Sequence, residues 1–583
     1  MGRFWAPKIV NPLEARATPV TEPASKFSGF VAELKRRKVY RVAVVYAAVA
    51  FVIWQAAEIA FPALHLPEWT LTFVVVIALI GFPVALVLAW AFEITPEGVR
   101  RTEPARAEPA AAPSSAAPAD ALDVERRSIA VLPFANMSDD PGNEYFSDGM
   151  TEEIINALTQ LRDLRVAART SAFAFKGKTP DIAEVGAKLK VATVLEGSVR
   201  KAGNRLRITA QLINVADGYH LWSERYDREM EDVFAIQDDI ARAIADKLQV
   251  TLAAGVAERL VRPPTESLEA YDLYLKGRFF VNQGGEGPRK GLEYFQQALA
   301  CDPEYALAHA GIAEAYVWLG GTGILRPQEA LPKIREAATQ ALELDDTLAE
   351  AHLSLGRLSW THEFEWSSAE KHFLRALELN PGLAEARSMY GFFLASMGRF
   401  EESLAELRRG VHLDPLAQLA NTWLGQVLAW LGRFPEAIER LRTALELDPT
   451  SWHANHILGM AYRLNSDYPE AIEALQTAMG LAGRHPWSLM ELALTYAASG
   501  GQAQAEAIYD ELVARSHSEY VPPTTLSFVS AALGRVDEAF EWLERAYQEH
   551  DMLMTWLKLL PHFDPLRDDP RFQDLLRRMN LLE

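Results

Sequence analysis

A small residue returns every 34 positions through the second half of the chain, at Gly391, Gly425, Gly459, Ala493 and Ser527. Other ladders keep the same step: Gly398, Gly432, Ser466, Gly500 and Gly534, then Ser403, Ala437, Ala471, Ala505 and Ala539. A bulky ladder runs through Leu407, Leu441, Leu475, Tyr509 and Leu543. A fixed period with small residues at two places and a large one between implies stacked helix–turn–helix units. Small residues let two helices approach, large ones fill the gap beside them, and Pro381, Pro415 and Pro449 block continuation after a pair. Such arrays present binding surfaces and rarely catalyse.

A chain of 583 residues is too long for one core and implies three or four parts. Its net charge is −20, and residues 261–583 hold 28 Lys+Arg against 46 Asp+Glu, or −18. The acidity therefore belongs to the repeats. Nothing in this balance suggests a nucleic-acid-binding chain, which should show a basic face. It reads as solvated helix faces, with a preference for basic partners as the functional alternative. The single cysteine, Cys301, allows neither an internal disulfide nor a Cys-based metal site.

Near the N-terminus, Val39–Phe61 and Trp69–Phe92 are apolar runs long enough to cross a hydrocarbon core. They predict a two-span transmembrane hairpin over 39–92, after a tail and basic juxtamembrane segment at 1–38. Lys35, Arg36, Arg37 and Lys38 precede the first span, and Arg100, Arg101 and Arg106 follow the second. That distribution predicts a multi-pass bacterial inner-membrane protein with both ends and all soluble domains in the cytoplasm. Glu58, near a span end, reads as reaching the interface. Residues 103–124, rich in Pro and Ala, predict a disordered linker.

Residues 126–255 predict a mixed α/β domain. Ser128–Phe134 suits a buried strand, and a helix opens near Ser147 with Glu152 and Glu153 in its first turn. A strand near Leu164–Ala168 and a helix near Ile182–Leu189 come next. Strands follow at Thr193–Lys201, Leu206–Asn214 and His220–Tyr226, joined by Gly203-Asn204 and Asp217-Gly218 turns, before a closing helix at Asp232–Leu252. Arg205 and Arg207 read as a solvated edge. The cluster Asp139, Asp140, Asn143, Glu144 and Asp148 lacks EF-hand spacing and reads as loop solvation or helix capping. Neither a phosphate loop nor HExxH nor GxSxG occurs. No metal, cofactor or catalytic residue is expected.

The motifs IAVLPFANMSDDPGNEYFSDGMTEEI, LEGSVRKAGNRLRITAQLINVADGYHLWSERYDR and VFAIQDDIARAI resemble the TolB-like amino-terminal domain of bacterial proteins, often placed before tetratricopeptide repeats. The N-terminal FVAELKRRKVYRVAV and GFPVALVLAWAFEITPEGVRR resemble the membrane hairpin of such proteins. Relatives carry winged-helix or cyclase domains, and many are labelled adenylate cyclase. About 38 residues precede the first span, and neither domain is expected there.

The ladders themselves resemble the tetratricopeptide repeat, over 268–550 as about eight units, with 551–583 as capping helices closing the exposed end. Carrying over that family's inner-face positions places Arg357, Trp360, Phe392, Gln426, Trp430, His453, His456, Arg463, Trp487 and Met490 in a concave groove. The groove lacks a basic clamp for a carboxylate and suits an apolar or aromatic anchor, although any one Trp serves equally well between repeats. His453 and His456 share a helix face without a third metal ligand.

The expected fold class is multidomain: a two-helix transmembrane hairpin, a mixed-sheet TolB-like α/β domain and an all-α tetratricopeptide superhelix. The expected function is a membrane-anchored scaffold, not an enzyme, binding protein partners through the groove, with homo-oligomerisation open and no nucleic acid. The alternative is a sensory or regulatory component of a signalling or transcription pathway, with a cyclase-type enzyme third.

Overall fold

The computed structural model describes residues 92–95, 98–101, 127–161, 163–250, 263–283, 285–321 and 324–581. They divide into two compact units, 1–116 and 117–583. In the first, β1 (Phe92–Thr95) and β2 (Gly98–Arg101) form an antiparallel hairpin, with Phe92 opposite Arg101.

That finding corrects the expected membrane hairpin. Among the described residues no helix is long and apolar enough to cross a membrane. Phe92, the expected end of the second span, instead begins a strand. Placement in an inner membrane rested on those spans and falls with them. An apolar run specifies burial, and its length alone does not say in what. Residues 39–91 of the predicted spans, Glu58, the tail 1–38 and the linker 103–124 lie outside the described residues.

The second unit opens with β3 (Ser128–Val131), β4 (Ala135–Asn136), α1 (Glu144–Thr159), β5 (Arg165–Val166), α2 (Arg169–Phe173) and α3 (Ile182–Leu189). It continues through β6 (Thr193–Ala202), β7 (Arg205–Asn214), β8 (His220–Glu229) and α4 (Val233–Lys247). The sheet order is β5-β3-β6-β7-β8, parallel where β3 meets β5 and β6 and antiparallel from β6 to β8. Leu206, Ile208, Ala210 and Leu212 alternate along β7 and are fully buried with residues of α1 and α4. Ala130, Leu132 and Val194 face the other way, onto α3 and Phe175.

Two local expectations change. β7 is an internal strand, so Arg205 and Arg207 are not an edge; both pair with Asp227 on β8, at 2.8 and 2.6 Å. Helix α1 begins at Glu144, not Ser147, because Asp140 caps a 3-10 turn at Pro141–Asn143 by accepting from Gly142 N. That earlier start moves Glu152 and Glu153 from the first turn to the middle of the helix.

Among the described residues, sixteen helices then follow in eight antiparallel pairs. They are α5 (Leu268–Val281) with α6 (Gly287–Cys301), α7 (Ala306–Gly321) with α8 (Pro327–Leu344), α9 (Ala349–Leu358) with α10 (Trp366–Leu379), and α11 (Ala384–Ser396) with α12 (Phe400–Leu413). Then come α13 (Gln418–Trp430) with α14 (Phe434–Leu447), α15 (Trp452–Leu464) with α16 (Tyr468–Ala482), α17 (Pro486–Ala498) with α18 (Gln502–Ser516), and α19 (Pro523–Ala532) with α20 (Val536–Gln548).

The ladders now have a physical cause. A Cβ on Gly391, Gly425 or Gly459 would meet the Cγ of Leu407, Leu441 or Leu475 at 2.7, 2.7 and 2.6 Å. Glycine therefore sets the approach of the two helices in those pairs, and the leucine lies on it. The second ladder is one of conformation: Gly398, Gly432, Ser466, Gly500 and Gly534 all have positive φ, between 69° and 88°. One unit earlier that left-handed place is held by Phe364, with φ 58°. The close-contact glycine there is Gly356, against Phe373, so this unit has one residue more between its contact and its turn. The extra residue is absorbed as a π-turn over Ser359–Glu363.

Replacing Gly425 by Ala should destabilise the protein by about 1–3 kcal/mol through overpacking on Leu441. Ser466→Gly, at an exposed left-handed position, should stabilise it by up to about 1 kcal/mol. Urea midpoints that move together in one direction would contradict this account.

Candidate functional site

The chain's own C-terminal segment lies on the first helices of several pairs, against Phe392, Trp430 and Glu491. Asp551 starts that segment. Its buried carboxylate caps a 3-10 turn at Met552–Trp556 through Leu553 N and binds Thr524 N and Oγ1 at the start of α19. Burial pushes this carboxyl up, and those hydrogen bonds oppose the shift. A second 3-10 turn (Pro561–Leu566) and α21 (Pro570–Arg578) follow. The expected capping pair is therefore one helix and two tight turns, and it reaches back along the array to the third pair.

Trp556 is its anchor. Its ring lies 5.3 Å from Trp360, 5.3 Å from Phe392 and 4.8 Å from Trp430, centroid to centroid. All four rings are buried, and Trp360 Nε1–H donates to Ser396 Oγ at 3.0 Å. Offset and edge-on packing of this kind adds to plain area burial. The π-turn presents Trp360, and the left-handed Phe364 beside it stacks on Tyr547 and His550, at 6.4 and 5.7 Å. Trp366 Nε1–H donates to Met579 O at 2.7 Å. The end of the eighth pair thus touches the third, and the array closes into a ring.

A buried polar cluster holds the next stretch. Glu491 accepts from Arg463 Nε at 2.8 Å and lies 2.6 Å from His562 Nε2. Burial alone would raise the Glu491 carboxyl, but the charges of Arg463 and His562 hold it well below its ordinary range.

The ten predicted residues therefore separate into two sets. Trp360, Phe392, Trp430 and Met490 are buried in the core that includes Trp556, and Arg463 is engaged by Glu491. Arg357, Gln426, His453 and Trp487 keep partial exposure. His456 is buried behind His453, their rings 6.5 Å apart. Burial pushes His453 down to about 4 and His456 to about 3, so both are neutral at ordinary pH. Among the described residues no three His, Cys, Asp or Glu side chains gather as a metal site.

Arg357 faces Glu385 at 3.5 Å. Burial depresses the Arg357 guanidinium and raises the Glu350 and Glu385 carboxyls. Yet 45% of the Glu385 side chain meets solvent.

The α/β domain joins the repeats through a junction that sequence reading missed. Glu152, buried on α1, accepts from Arg169 at 2.9 Å and from Arg278 of α5, which also binds Glu314. Burial opposes ionisation of Glu152, and Arg278 and Arg169 outweigh it. Around this network Tyr271, Tyr274, Phe295 and Tyr305 share one hydrophobic core with α1 and β7. Further along, Asp414 between α12 and α13 accepts from Ser171 N and Oγ on α2, at 3.0 and 2.5 Å. The acidic loop disperses into ion pairs, Asp139 with Arg200, and Glu144 and Asp148 with Lys176. Trp556, His562 and Glu491 could have been suspected only from their failure to fit the 34-residue pattern; Arg278 carried no signal.

Comparison with known proteins supports part of this picture. Residues 394–451 and 431–486 match a tetratricopeptide repeat model. That stretch consists of tetratricopeptide repeats. Residues 125–243 match the second domain of HilA/YgeH-like transcriptional regulators, a different description from the TolB-like domain expected there. A protein of Rhizobium meliloti (strain 1021) named "Putative adenylate cyclase 3" is 42% identical over 246 residues, 41% of this chain and 41% of its own length. "Transcriptional regulator HilA" of Salmonella typhimurium is 24% identical over 283 residues, 48% of this chain and 49% of its own. The chain thus matches less than half the length of either relative. Among solved structures, YrrB, a "TPR protein with an unusual peptide-binding site", is 23% identical, with 33% of this chain and 95% of that one covered and a TM-score of 0.24.

Trp556→Ala should cost about 3–5 kcal/mol, with Trp556→Phe well below that. A denaturation midpoint unmoved by Trp556→Ala would show that the ring does not depend on this anchor. Burial, reinforced by Glu152, pushes Glu153 up from 4.5 to about 8. A carboxyl raised on folding supports the fold below its unfolded value and opposes it as pH rises through the folded one. Glu153→Gln should therefore raise Tm relative to the parent above about pH 8 and leave it level near pH 4; a difference constant with pH would contradict the assignment.

Proposed function

We propose that this chain is a protein-interaction scaffold without catalysis of its own. The observation that carries the reading is the occupancy of the inner face. The aromatic seats that suit an apolar anchor are filled by Trp556 of the same chain. The partly exposed positions are polar or mixed: Arg357, Glu385, Gln426, His453 and Trp487. A partner segment recognised there offers hydrogen bonds and charge, with Trp487 and the neighbouring Trp452 as aromatic platforms. The ring supports such a role because it holds those side chains on rigid helices.

A regulatory reading is favoured by one further observation. The likeness to a relative named as a transcriptional regulator extends over 283 residues, and the α/β domain and the repeats share a buried core and two polar junctions. A partner bound on the inner face would then bear on the α/β domain through α5 and the Asp414 turn.

Arg357→Glu combined with His453→Ala should abolish recovery of the native partner in affinity capture, with far-UV circular dichroism and Tm near the parent's. An unchanged capture profile would sink the inner-face reading.

A further inference from the structure

We propose that β8 is a self-complementary edge through which two copies of this chain join their sheets. β8 ends the sheet order, and among the described residues no strand pairs with its outer side. It is ten residues long, His220–Glu229, and exposed at most positions, with Tyr226 as its buried side chain. Exposed edges of this length invite pairing, and charges on them commonly serve to prevent it. The order of the charges decides between the two.

Around Tyr226 the sequence reads Glu224-Arg225-Tyr226-Asp227-Arg228. In an antiparallel pair with a two-fold axis at Tyr226, Arg225 lies opposite Asp227 of the partner subunit. Glu224 lies opposite Arg228 of the partner subunit. Both directly opposed pairs are opposite in sign, where a protective edge would set like charges face to face. Opposed residues in such a pair share a face of the sheet, so Tyr226 stays on the core side in both copies.

The hydrogen-bond parity agrees. Met230 N donates to Asn204 O, so along β8 the even-numbered residues turn their peptide groups to β7. The odd-numbered Arg225 and Asp227 then turn theirs outward, as the new ladder requires. Asp227 is already held by Arg205 and Arg207, so Arg225 of the partner subunit would extend an alternating row of charge across the joint. Tyr219 and Leu221, 74% and 42% exposed where the strand begins, lie at the margin of the same edge.

The test is sedimentation equilibrium of the full chain with hydrogen–deuterium exchange at several protein concentrations. A dimer is expected, with exchange at Arg225 and Asp227 slowing as concentration rises. Glu224→Arg sets two like-charged pairs across the axis and should weaken the dimer about tenfold. The swap Glu224→Arg with Arg228→Glu restores opposite charges and should bring affinity back to within about threefold of the parent. A monomer at all concentrations, a dimer indifferent to Glu224→Arg, or a double variant as weak as the single would each overturn the proposal. Should Glu224→Arg misfold, the concentration dependence of exchange in the parent decides alone.

Discussion

The contact between a glycine on one helix and a leucine on its pair-mate, at Gly391–Leu407, Gly425–Leu441 and Gly459–Leu475, is the constraint on which the middle of the array depends. It fixes how closely two helices lie, and that distance sets where the next pair can stack. Repetition of one local distance generates the curvature, and curvature brings the eighth pair round to the third. Short-range contacts thus bring the distant pairs together, and the long-range contacts of Phe364, Trp366 and Trp556 fasten them. What the local contacts do not supply is an occupant for the space they enclose. The chain provides one in its last thirty or so residues, with Trp556 seated among three rings from three different pairs.

Two polar junctions fasten the α/β domain to this frame, and they differ in kind. Glu152 with Arg169 and Arg278 is a buried ion network whose charges compensate one another. Asp414 is a carboxylate at the start of a short helix, held by a hydroxyl and a backbone amide of Ser171. Removing one partner of the first strands a buried charge, a larger penalty than the pair's net contribution. The second has a raised carboxyl through burial, so its hydrogen bonds hold the group against a tendency to take up a proton. Together they leave the domain little freedom to swing on the array.

Legibility in the sequence followed the range of each interaction. The ladders were readable because each repeated residue answers to a partner within its own unit. Helix α3 kept its predicted bounds because Asp181 caps it and Lys190 ends it in the left-handed region. The hairpin turns were readable from Gly203 and Gly218, both at positive φ. The start of α1 was misplaced because a proline-led 3-10 turn precedes it, and that shift concealed the burial of Glu152. Trp556 offers only its misfit to the ladders as a signal, because nothing periodic marks a residue whose ring partners are as far back as Trp360, Phe392 and Trp430. The predicted spans fail as a fold assignment for a different reason: an apolar run specifies burial and does not say in what.

The closed ring alters how this array would come apart. In an open stack each unit leans only on its neighbours, so the ends fray and stability accumulates unit by unit. Here Phe364 and Trp366 of the third pair are bound by residues of the eighth pair and the tail, so the C-terminal end is not free to fray first. Unfolding one unit opens the loop and withdraws support from a unit far away in sequence. A residue added in the third unit, absorbed as a π-turn, thereby couples the third pair to the eighth, which an open stack would leave independent.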